Sequence, residues 1–111
     1  MIERATAVLH ALAHSDVDAL DRLCRDDVLI WGTDEDEAWD GKAAVLRAVR
    51  GTYDLSVRWL GEPVGGAGWV AGVVEFGLQG QEPVRSRVTM VFTGELLAHA
   101  HYSVAVPSSS G

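Results

Sequence analysis

Near Gly51 the spacing of apolar residues changes from every third or fourth position to every second, which splits the chain into a helical first half and a stranded second half. Before the switch, Ile2, Ala5, Val8, Leu9 and Leu12 recur at helical spacing and predict an amphipathic helix from Ile2 to Ala13. Ser15 is placed to cap a second helix that ends near Arg25, with Cys24 on its apolar stripe beside Val17 and Leu20. Val28 to Trp31 is a short apolar run that suits a buried strand, and the acidic stretch Thr33 to Glu37 then reads as loop. A third helix is expected from about Gly41 to Arg50, stopped by Gly51.

After the switch, Tyr53, Leu55, Val57 and Trp59 alternate with polar residues. Three more strands are expected at Trp69 to Leu78, Val84 to Thr93 and Leu96 to Val106. The turns between them fall at Gly65-Gly66-Ala67-Gly68, Gln79 to Pro83 and Gly94-Glu95, which favours an antiparallel meander. Helices first and strands afterwards predict an α+β domain, helices on one face of a curved sheet, over residues 1–107 with a loose tail at 108–111. Even positions of the meander are almost wholly apolar, among them Val70, Val74, Val88, Met90, Ala100 and Tyr102, and are expected to face the helices. Odd positions mix charge with apolar surface: Trp69, Val73, Arg87, Thr89, Val91, Leu97, His99 and His101. Left in water they would form an apolar patch, so a homodimer through this face is expected. A three-residue turn centred on Gly94 would set Thr89 opposite His99 and Arg87 opposite His101, and the dimer would loosen in acid as protonated imidazoles met arginines.

Charge narrows the partners. Sixteen acids against nine Lys and Arg leave the 111 residues at −7, with no basic segment, so nucleic acid and anionic membranes are poor partners. One cysteine and no Asn, together with no secretory start and no apolar run of membrane-spanning length, predict a cytoplasmic protein. Neither a metal nor another cofactor is expected. Asp34, Asp36 and Glu37 are followed by Ala38 and Trp39 where a calcium loop needs an oxygen ligand and a Gly. His99 and His101 share one side of a strand, as do His10 and His14 one side of a helix, but two imidazoles do not complete a ligand set. The Gly65–Gly68 run lies between strands rather than before a helix, which excludes a dinucleotide fingerprint.

The element order, with the stretch Trp31-Gly32-Thr33-Asp34-Glu35-Asp36-Glu37-Ala38-Trp39-Asp40-Gly41, resembles the SnoaL-like branch of the nuclear transport factor 2-like superfamily. Gly68-Trp69-Val70-Ala71, Val84 to Phe92 and His101-Tyr102-Ser103-Val104 are similar to the meander strands of that branch. The resemblance implies a cone enclosing a pocket, and often a dimer through the convex face. It implies a small-molecule pocket protein, in isomerases, cyclases and hydrolases alike, with a non-catalytic dimeric binding or association module as the alternative. Against ketosteroid isomerase the chain departs at three positions, about Val8, Gly32 and Val88, where that enzyme has a tyrosine and two acids. For a mainly apolar ligand, Trp31, Trp39, Trp59 and Met90 are the expected walls and Ser86 a polar anchor. Asp34, as a base at the pocket mouth, and Tyr102 are the expected catalytic pair.

Overall fold

A computed structural model describes residues 1–33, 37–49, 54–77 and 80–104. Helix α1 (Ile2–Ala13) turns Ala5, Val8 and Leu9 inward as its spacing requires, with Ala11 and Ala13 beside them, Leu12 half-buried and Ile2 exposed. Helix α2 (Val17–Leu23) follows, but its cap is Asp16, whose carboxylate accepts the Ala19 N–H at 3.1 Å, and not Ser15. Ser15 instead makes the turn, in the left-handed region at φ 52°. The helix also stops earlier than expected. Cys24 has extended backbone and opens strand β1 (Cys24–Trp31), so its burial comes from the sheet rather than from a helical stripe.

Strand β2 (Ala38–Asp40) carries no sequence signal, since three residues are too few to show a period; it forms because Leu29, Ile30 and Trp31 offer it an antiparallel edge. Gly41, at φ 93°, donates its N–H to the Val28 carbonyl at 2.8 Å and turns the chain into α3 (Lys42–Val49). The expected stop at Gly51 and the strand start at Tyr53 lie outside the described residues. Strand β3 (Ser56–Gly66) runs through Gly61 at φ 76° and past Pro63, with its register shifted between Leu60 and Val64. Gly65 and Gly66 therefore belong to the strand and Ala67-Gly68 alone make the turn. Strands β4 (Trp69–Gly77), β5 (Val84–Thr93) and β6 (Leu96–Val104) complete a six-stranded sheet of order β2-β1-β6-β5-β4-β3. Among the described residues only β1 and β6 run parallel, because the meander brings its last strand back beside the first. Leu78, the end of the last strand near Val106 and the 108–111 tail lie outside the described residues.

The inner face follows parity along β5, where Ser86, Val88, Met90 and Phe92 are buried and Arg85, Arg87, Thr89 and Val91 are exposed. On β6 parity breaks once. Thr93 pairs with Leu96 across a two-residue turn, Phe92 with Leu97, and then Val91 with His99, so the strand accommodates an extra residue. That bulge turns Leu97 into the core at 0% exposure, whereas strict alternation puts it outside. It also resets the outer face: Thr89 lies opposite His101 and Arg87 opposite Ser103. The pairing expected from a three-residue turn is thus replaced, and with it the cationic surroundings that would have made a dimer acid-sensitive. Among the described residues no helix is long and apolar enough to cross a membrane.

Candidate functional site

The concave side of the sheet does not close on the helices completely. Between it, α1 and α3 lies a cavity of about 640 Å³. Leu9 and Leu12 come from α1, Val45 and Val49 from α3, and Phe76, Val88, Met90 and Ala100 from the sheet, so most of the wall is hydrocarbon. The even-position pattern of the meander makes most of that wall, with Val84, Ser86, Val88 and Met90 of β5 and Ala100, Tyr102 and Val104 of β6 meeting it, and the odd-position His101 also reaches its lining.

The polar part of the site is a pair. Tyr102, on β6, donates its hydroxyl proton to Glu37 Oε2 at 2.7 Å, and both residues line the cavity. Trp39 of β2 lies nearly parallel to the Tyr102 ring, centroids 6.4 Å apart and planes at 18°. Glu37 is held from its backbone side because its carbonyl accepts the Gly32 N–H. Gly32 has no side chain to obstruct this. A Cβ there would sit 2.6 Å from Glu37 Cβ, Glu37 Oε2 and Tyr102 Oη, closer than real contacts come. Thr33 accepts the Val104 N–H at 2.7 Å and pins the same end of β1 to the end of β6. Ser86 is 1% exposed, and its hydroxyl lies 3.3 Å from the Ser103 carbonyl and 3.4 Å from that of Arg87.

The structure thus brings Trp39, Ser86, Met90 and Tyr102 to one cavity, and it separates two other aromatics from them. Trp31 is at an odd position of β1 and faces outward, 45% exposed, edge-on to His99 at 5.0 Å. Trp59 packs under α1, where its indole N–H donates to Thr6 Oγ1 at 2.9 Å. Neither lines the cavity: strand parity sends Trp31 to the outer face, and the bond to Thr6 holds Trp59 under α1. Asp34 lies outside the described residues. The carboxylate found beside Tyr102 is Glu37, which the acidic stretch contained without distinguishing it; the signal for it was Gly32, a residue that leaves room for a returning side chain.

On the opposite face Trp69, Val91 and His99 stand side by side across three strands, with Thr89 beside His101 one row away. Val73 is half-buried between Leu60 and Arg87. Glu75 engages Arg58 at 3.1 Å and Arg85 at 3.9 Å. The His99 Nε2 is buried without a hydrogen-bond partner among the described residues. Among those residues no group of three His, Cys, Asp or Glu stands together. His14 Nδ1 instead meets Asp54 at 2.7 Å, with His10 stacked on it at 5.8 Å. Burial pushes the Cys24 thiol up to about 11, against a smaller downward pull from Lys42.

A family model described as a SnoaL-like domain matches residues 2–107. No curated protein matches the sequence. Among solved structures, a putative ketosteroid isomerase from Kribbella flavida superposes with a TM-score of 0.82 at 15% identity, covering 98% of this chain and 80% of that one. A putative SnoaL-like polyketide cyclase from Jannaschia gives 0.72 at 12% identity, over 93% and 85% of the two chains. A hypothetical protein with a ketosteroid isomerase-like fold from Catenulispora acidiphila, in complex with trimethylamine, gives 0.76 at 16% identity over 97% and 88%. At such identities the likeness is one of fold.

Proposed function

The chain belongs to the SnoaL-like domain family, and from that premise we propose that it binds a mainly apolar small molecule in the cavity and moves a proton at the ligand's polar end. The observation that carries this reading is the Tyr102–Glu37 hydrogen bond inside a wall built mostly of Leu, Val, Ala, Phe and Met. A carboxylate paired with a tyrosine in such a wall is a general base with its orienting partner. Glu37 takes the proton, and Tyr102 holds the carboxylate in place and stabilises its charge. The resemblance to ketosteroid isomerase puts an acid at about Gly32, where this chain has none. A side chain at that position would project into the volume that the Glu37 carboxylate fills, so Glu37, just before β2, supplies what a strand-end acid supplies elsewhere. The reaction class this supports is proton transfer of the isomerase or cyclase kind. Trp39, Met90 and Ser86 are the ligand's immediate neighbours in this reading, and cytoplasmic placement fits the single, unpaired Cys24.

A second reading concerns the outer face. Trp69 and Val91, each 41% exposed, adjoin His99 and Trp31 in one apolar band, which supports a homodimer through that face with Val73, Arg87, Thr89 and His101 around it. The two readings are compatible, since the cavity lies between the sheet and the helices, with His101 alone of these residues also in its lining.

Amide chemical-shift mapping with a neutral apolar probe such as 1-adamantanol tests the cavity. Shifts are expected at Trp39, Met90 and Tyr102, and Val49→Trp, which fills the space from α3, is expected to abolish them. Shifts that survive Val49→Trp, or that fall on the outer face, refute the reading.

A further inference from the structure

Strand pairing gives the cavity a floor and a mouth. Met90 of β5 lies opposite Ala100 of β6, Ala100 lies beside Ile30 of β1, and all three line the cavity at 4% exposure or less. Toward the β5–β6 turn the next inward pair is Phe92 and Leu97, at 6% and 0% exposure, and neither reaches the cavity, so solid core closes this end. In the other direction the lining passes Val88 opposite Tyr102, then Ser86 opposite Val104, and comes to the surface at Val84, which is 45% exposed. Gln81 and Glu82, both exposed, complete that end. Met90 and Val84 are six residues apart, about 20 Å of strand. The polar side chains are distributed along the same axis. Among the described residues of the floor the one polar side-chain atom is the indole nitrogen of Trp39, which pairs with Ile30 and whose ring lies along Tyr102. Tyr102, bonded to Glu37, stands two residues nearer the mouth than Ala100, roughly 7 Å, and Ser86, Gln81 and Glu82 follow beyond it. His101 also lines the space, but from an odd position and as an exposed residue.

We propose that the ligand is a one-ended amphiphile that enters apolar end first, stops against Met90, Ala100 and Ile30, and keeps its polar end between the level of Tyr102 and the mouth, an inference that rests on the cavity being the ligand site. A polar group driven to the floor gives up its water and meets the hydrocarbon of those three residues, which return no hydrogen bond. The same group at the other end stays near water, Gln81 and Glu82. Molecules with a polar group at each end are therefore poor ligands. Ala100 has the smallest side chain on the floor, which makes it the residue that sets how deep the apolar end reaches. Chain length and direction are thus read by carbon alone.

The 1-alkanols from hexanol to decanol, titrated into the full chain by calorimetry, measure depth, and NOEs from the bound alkanol to the methyl groups of Met90, Ala100, Val84 and Val104 measure direction. Affinity is expected to rise about fourfold per added methylene while the chain is still being buried, and to level off once its methyl group meets the floor. Ala100→Leu is expected to bring that plateau at least one methylene earlier, and Val84→Leu, at the mouth, to leave it in place. The terminal methyl is expected to contact Met90 and Ala100, and the CH2–OH protons Val104 or Val84. CH2–OH protons against Met90 or Ala100 overturn the direction and leave the ligand site standing. A plateau that Ala100→Leu does not move overturns the floor. If no alkanol perturbs the cavity methyl groups, the ligand site itself falls, and the orientation with it. Should Ala100→Leu fail to fold, the NOEs in the parent protein decide alone.

Discussion

Replacing Gly32 by Ala adds a single methyl group at the most crowded point of the site. Its carbon would lie 2.6 Å from Glu37 Cβ, Glu37 Oε2 and Tyr102 Oη, and ordinary contact begins at 3.4 Å. The Glu37 main chain cannot retreat without losing the Gly32 N–H bond, so the side chains give way and the 2.7 Å Tyr102–Glu37 bond lengthens or breaks. A hydrogen bond to a charged group contributes about 1.5–3 kcal/mol, and a half-buried pair falls at the lower end of that range. In a domain of this size about 2 kcal/mol lowers Tm by roughly 10 °C. Thermal unfolding followed by circular dichroism measures it, in Gly32→Ala, Tyr102→Phe and the double variant. Because the two substitutions disrupt one bond, the double variant is expected to lose about 1 kcal/mol less than the two losses added together. A Tm within 1 °C of the parent for Gly32→Ala, or strictly additive losses, refutes the packing of glycine against the carboxylate.

Cys24, with its thiol pushed up to about 11 by burial, is expected to resist iodoacetamide in the native protein at pH 8 and to react at once in denaturant; stoichiometric native labelling contradicts this. The β6 bulge predicts opposite results for adjacent leucines: Leu97→Ala costs about 2–5 kcal/mol in urea unfolding, whereas Leu96→Ala, on an exposed side chain, changes stability by under ~1 kcal/mol. Equal costs refute the bulge. Light scattering is expected to show a dimer that Val91→Arg converts to monomer; a native monomer at 100 µM, or a dimer indifferent to the charge, removes the outer face as the interface.

Much of the fold is legible in the sequence because repeated apolar spacing is a strong signal where an element is long. The bounds of α1 and β5 match the spacing residue for residue. What was hidden depends on contacts between segments. β2 exists only against β1, Asp16 displaces Ser15 because a turn in the left-handed region carries the chain to the cap, and Leu97 is inside because the sheet absorbs one extra residue. The site shows the same division. Met90, Ser86 and Tyr102 reach the cavity by parity along two long strands, and Trp39 is held there by the short strand β2. Trp31 and Trp59 were expected beside them on residue type, and strand parity sends one to the outer face while a hydrogen bond to Thr6 holds the other under α1. Glu37 could not be told from its acidic neighbours, since its distinction is a hydrogen bond to a residue 65 positions away.

The sheet ends on both sides in strands that a further strand would find hard to join. A sheet edge is a row of free amides and carbonyls, the template on which native chains stick together and fibrils begin. Strand β2 offers three residues of it. Strand β3 is long enough to be a hazard, but the left-handed Gly61 and the shifted register break its straightness, and Pro63 has no amide hydrogen to offer. These edges leave edge-to-edge growth, which does not stop, with little to build on, whereas face-to-face pairing, the association proposed for the outer face, would stop at two copies. Pro63→Val with Gly61→Ala would supply the missing amide and penalise the kink, and the cost would appear as slow fibril formation at concentrations where the parent stays clear.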